Sequence, residues 1–91
     1  MILARVIGSV VSTRKEDSLV GFSMLLVEEV DPKNKDAEGA RMVAVDTLGA
    51  GRGDVVLVVR GGAARVISDK HKSAPLDAAI VGIVDTVGVT V

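Results

Sequence analysis

Apolar residues along this chain come in short β-branched runs separated by charge and turn formers, a spacing that predicts strands rather than helices. Five runs stand out, at residues 2–11, 22–30, 41–48, 54–60 and 79–89. Val recurs in all of them, and Gly, Asp, Ser and Pro crowd their ends, so β propensity and turn chemistry agree on where they start and stop. Residues 12–18 (STRKEDS) and 31–39 (DPKNKDAEG) read as charged, solvent-facing connections, the second opened by an Asp-Pro turn. Residues 61–67 (GGAARVI) suit one or two helical turns after the fourth strand, and 68–75 form a polar loop with the single histidine, His71. The expectation is one all-β domain over residues 1–91, a small five-stranded barrel with a short helix.

Within the strands the polarity is uneven. A strand with one wet face alternates apolar and polar residues, whereas a strand covered on both faces reads as continuously apolar. Residues 55–59 (VVLVV), 24–27 (MLLV) and 80–84 (IVGIV) do not alternate, so three of the five predicted strands ask for cover on both sides. A chain this short buries only roughly 60–65% of its unfolded surface and cannot supply that cover itself. Composition points the same way: 48% of residues are hydrophobic, and with no cysteine there is no disulfide framework to offset small size. Self-association into a cyclic oligomer is the expected remedy.

Charge and chemistry remove most other functions. Eleven Lys+Arg stand against 12 Asp+Glu for a net charge of −1, and neither sign forms a block that would mark a nucleic-acid or membrane partner. With one Phe and no Tyr or Trp, the chain lacks the base stacking worth ~1–3 kcal/mol per base in single-strand-binding barrels. A small oligomeric barrel binding single-stranded nucleic acid or a small ligand is therefore the alternative reading. The opening MILARVIGSVVSTRK is broken by Arg5 and by Gly8-Ser9, and no small-residue cleavage site follows, so export is not expected. The longest aliphatic runs fall far short of the ~20 residues of a membrane helix. A soluble, cytoplasmic protein is expected, and the lack of cysteine fits a reducing interior.

His71 lies between Lys70 and Lys72 with no second His or Cys to complete a metal site. Ser9, Ser12 and Ser23 have neither an elbow motif nor a base. Asp46, Asp54, Asp77 and Asp85 sit at predicted turns or strand ends, where Asp ordinarily bonds nearby backbone. No catalytic residue, metal or cofactor is expected.

Between the third and fourth strands, Gly49-Ala50-Gly51-Arg52-Gly53 places three glycines in five positions and spells Arg-Gly-Asp with Asp54. A phosphate cradle would need these glycines to open a helix, yet they run into the strand DVVLVV, with G-x-G-x-G spacing. An adhesion motif would need an extracellular protein. What remains is a hairpin-like turn whose glycines accept positive φ. In a cyclic oligomer such a loop is suited to crowd the symmetry axis, where several copies converge. A side chain at Gly51 is then expected to disturb the ring, whereas one at Gly39, in the polar connection, is expected to be mild.

The combined pattern resembles the EutN/CcmL family of bacterial microcompartment vertex proteins. It is carried by Met1 to Gly8 with Val10 to Lys15, by Leu19-Val20-Gly21 and Leu25-Leu26-Val27, and by Val43 to Gly51 with Gly53-Asp54. Val56 to Gly61, Ala63-Ala64-Arg65 and the tail Pro75 to Asp85 complete it. Asp54 stands where many relatives carry Glu, and residues 69–73 fall in a variable loop. The resemblance implies a pentamer of five-stranded, OB-like barrels at the five-fold corners of a polyhedral shell whose facets are hexagonal tiles. It implies no catalytic activity, a place in a cytoplasmic carboxysome or metabolosome shell, and hexameric shell proteins as partners. It also sets Leu48, Gly49, Ala50, Gly51, Arg52 and Gly53 around the central pore, with Asp46, Arg60 and Arg65 assigned to the subunit interface.

Overall fold

The computed structural model describes residues 1–11, 22–34, 38–61 and 77–87. Five strands appear in chain order: β1 (Ile2–Val10), β2 (Ser23–Glu29), β3 (Arg41–Asp46), β4 (Val55–Arg60) and β5 (Ala78–Val84). They close into a barrel in the order β1-β2-β3-β5-β4. Every neighbouring pair is antiparallel except β3 beside β5, which run parallel and meet at Val45↔Ala79. This is the small five-stranded barrel that the apolar runs predicted.

Alternation along each strand decides what lies inside. Ala4 and Val6 of β1, Leu25 and Val27 of β2, Ala44 of β3, Val56 and Val58 of β4, and Ala78 and Ile80 of β5 form one buried cluster. Three alanines among larger aliphatic side chains fill the narrow bore without aromatics. A second, smaller cluster joins Phe22, Val45 and Ala79, with Met24 and Val59 packed against it. Two bulges curve the wall: β1 slips against β2 between Val6 and Gly8, and β5 slips against β4 opposite Leu57 and Val58. Each inserts an extra residue and sharpens the local twist, which a small barrel needs in order to close.

Several strands stop earlier than their apolar runs. β1 ends at Val10, β2 occupies Ser23–Glu29, and β3 ends at Asp46 rather than at 48. β3 stops there because the Asp46 carboxylate takes amides from the next residues, an alternative to the ladder that Asp offers readily. β5 starts at Ala78 and ends at Val84, with Asp85 at a bend; residues 88 and 89 of the predicted run lie outside the described residues. Of the segment expected to be helical at 61–67, only Gly61 is described. No helix among the described residues is long and apolar enough to cross a membrane.

The connection after β2 opens as expected, with Asp31 accepting Lys33 N–H on its side chain at 2.9 Å and Asn34 N–H on its carbonyl at 3.1 Å. Gly39 departs from expectation. A Cβ there would fall on the carbonyl of Glu29, because Glu29 N–H donates to Ala40 C=O at 2.8 Å and draws the two segments together. Gly39 is thus a site of close backbone approach, not a tolerant loop position.

Candidate functional site: the glycine loop and the outer sheet face

Residues 46–54 leave the end of β3 and enter β4. Asp46, 6% exposed, is the one buried charged side chain among the described residues. Its Oδ1 accepts Leu48 N–H and its Oδ2 accepts Ala50 N–H, both at 2.9 Å. Further along the loop, Gly51 C=O accepts Asp54 N–H at 3.0 Å while Asp54 Oδ2 accepts Gly51 N–H at 2.8 Å. Gly53, third in that turn, has φ +92°, the sign a type II turn requires at this position and glycine adopts without strain. Gly49 is likewise at φ +84°. The turn is pinned to β1 at one residue: Val6 N–H donates to Asp54 C=O and Gly53 N–H to Val6 C=O, each at 2.9 Å.

The tight turn and the positive-φ glycines match the sequence reading, and so do the side-chain-to-backbone bonds of Asp46 and Asp54. The hairpin does not. β3 and β4 are not neighbours, since β5 lies between them in the barrel, so the loop crosses a barrel end instead of joining paired strands. The phosphate-cradle reading meets a physical obstacle here, because the amides of 48, 50 and 51 are already directed at carboxylates of the same chain. In the Arg-Gly-Asp triplet, Asp54 is committed to the turn in the same way.

Of the residues assigned to the pore, Leu48, Gly49, Gly51, Arg52 and Gly53 are exposed and Ala50 is half-buried against the core. Arg52 sits at the tip. Ala50, Gly51 and Arg52 border a groove shared with Val6, Gly8, Ser9 and Leu25, where the β1 bulge leaves space. Asp46, assigned to the subunit interface, is buried beneath the loop of its own chain. Arg60, at the end of β4, is exposed and lies 3.7 Å from Asp77, itself well exposed. Arg65 lies outside the described residues, as does His71. Among the described residues no group of three or more His, Cys, Asp or Glu is placed to hold a metal ion.

The outer face of the sheet was legible only as unalternating strands; pairing resolves it into rows. Leu3 lies beside Leu57, and Leu57 beside Gly82, where Leu57 leans over the bare Cα so that a Cβ there would lie 3.6 Å from its Cδ1. Val55 lies beside Val84 in the same sheet. On the opposite flank, Leu26 pairs with Val43, which is 47% exposed. Between the two apolar flanks runs a charged row in register, Arg5↔Glu28↔Arg41, in which Arg41 Nε is 3.0 Å from Glu28 Oε2. Val81 and Ile83 on β5, and Leu48 in the loop, add further exposed apolar surface. One barrel therefore carries two distinct apolar flanks that its own chain leaves half-covered.

Comparison with known proteins places this arrangement. Residues 1–85 match the model of a family described as ethanolamine utilisation protein EutN/carboxysome. The bacterial microcompartment shell vertex protein GrpN of Rhodospirillum rubrum is 48% identical over 87 residues, 96% of each chain. The carboxysome shell vertex protein CcmL of a Synechocystis strain is 48% identical over 89 residues, 98% of this chain and 87% of its own length. Among solved structures, the GrpN pentameric microcompartment shell protein of Rhodospirillum rubrum superposes with a TM-score of 0.86 at 44% identity, covering 99% of both chains. With this barrel order and with identity of that degree running through nearly all of the sequence, the chain belongs to the EutN/CcmL family.

Proposed function

We propose that this chain, acting as one domain over residues 1–91, forms a ring of five that caps the vertices of a polyhedral bacterial microcompartment shell in the cytoplasm. The observation that carries the reading is the pair of unlike apolar flanks. Leu3 and Leu57 lie on one side of the Arg5–Glu28–Arg41 row, and Leu26 and Val43 lie on the other. Two different patches on one barrel favour a head-to-tail interface, which closes into a ring when its rotation allows. Pentameric relatives of the same fold support five copies. In that ring residues 48–53 line the central opening, while Arg60 and Arg65 lie at the subunit boundary.

The ring is structural. Hexagonal tiles alone pave flat or rolled sheets, and five-fold units at the corners allow a polyhedron to close. The partners are therefore hexameric shell proteins, met edge to edge by modest contacts, because over-strong association would trap misassembled shells. We propose neither catalysis nor nucleic-acid binding: the described carboxylates at the loop are committed to backbone, and Arg41 of the outer face is paired with Glu28.

Native mass spectrometry of the purified protein is expected to give a discrete five-membered ring. Electron microscopy of cells lacking this protein and any paralogue is expected to show elongated or leaky shells with cargo still inside. A monomer that persists at micromolar concentration, or sealed polyhedra in the deletion strain, would overturn the assignment.

A further inference from the structure

The glycine loop is built around anions that the chain itself supplies. Amides of 48, 50 and 51 converge on the carboxylates of Asp46 and Asp54, much as a nest of backbone N–H groups converges on a bound phosphate. These bonds are charge-assisted, the stronger class, and Asp46 makes its two from a buried position. A loop whose donors are consumed inward has few amides left for an external anion and little freedom to change shape. We infer that Asp46 is the positioning residue of this loop: its carboxylate sets where residues 48–53 lie and thereby the calibre of the opening they surround, with Asp54 anchoring the far side of the turn to Val6. The calibre is thus determined from beneath, by a side chain that does not itself face the opening. This inference rests on the reading that residues 48–53 line the ring opening.

Hydrogen exchange on the assembled, unaltered ring tests the geometry first. The Leu48 and Ala50 amides should be protected although both belong to a surface loop, and free-chain exchange rates there would overturn the inference even if no variant can be made. Asp46→Asn keeps the size of the side chain but turns an NH2 group toward one of the two amides. It should accelerate exchange at that amide by roughly ten- to a hundredfold, the loss expected for a hydrogen bond to a charged group. Strand amides such as those of Val56 and Val58 should keep their rates, whereas a merely structural role would move all of them together.

Solute leakage from shells reconstituted with facet tiles separates the two layers of the argument. If Gly51→Val leaves leakage unchanged, the loop does not line the opening, and the underlying reading fails. If Gly51→Val alters leakage and Asp46→Asn does not, the opening is where we place it but Asp46 does not set it. Altered leakage with both, and loosened size selectivity with Asp46→Asn, is the expected result.

Discussion

A methyl group at Gly39 would be driven into the Glu29 carbonyl. That carbonyl belongs to the end of β2, and the neighbouring bond from Glu29 N–H to Ala40 C=O at 2.8 Å holds the two segments close. Backbone cannot rotate aside as a side chain can, so Gly39→Ala carries an overpacking cost of about 1–3 kcal/mol. At Gly51 the nearest atom to a new Cβ is Asp54 Oδ2 at 3.9 Å, and the backbone is not in the left-handed region. There the same change stabilises by about 0.4–1 kcal/mol, through the lower entropy of the unfolded chain. Within one subunit the two substitutions therefore differ by about 1.4–4 kcal/mol. For a domain of this size class each kcal/mol moves the midpoint by about 4–8 °C, so Gly39→Ala should melt roughly 6 °C or more below Gly51→Ala. Thermal unfolding followed by circular dichroism measures this, at two protein concentrations because oligomer stability depends on concentration. Native mass spectrometry adds the second axis: Gly51→Val should deplete the ring or alter its opening, since its bulk meets crowding only from other copies. A Gly39→Ala midpoint at or above that of Gly51→Ala would refute the reasoning.

Two further outcomes follow from the barrel. Ile80, 1% exposed in the main cluster, should lose about 2–5 kcal/mol as Ile80→Ala, read as a lower urea midpoint with an unchanged slope. Arg41→Ala removes the cross-strand pair with Glu28, whose side chains are 64% and 23% exposed, and should cost no more than about 1 kcal/mol; the difference from the parent should shrink as salt is raised in the same denaturation assay.

Much of the molecule follows from local chemistry alone. The five strands were legible because breaking residues separate the β-branched runs, although several strands end short of their runs, and the need for cover because three strands fail to alternate. The turn was legible from its glycines, two of which do take positive φ. Long-range pairing decided the remainder. Nothing near Gly39 in the chain reveals that Glu29, ten positions earlier, would close against it, and nothing near the glycine loop reveals that β5 separates the strands it connects. Asp46 shows the division within a single residue. Its type and position announced backbone bonding, but that the carboxylate would lie buried beneath its own loop depended on which way the end of β3 turned. In a barrel that direction follows from closure, because the register of the whole sheet fixes which face each side chain occupies.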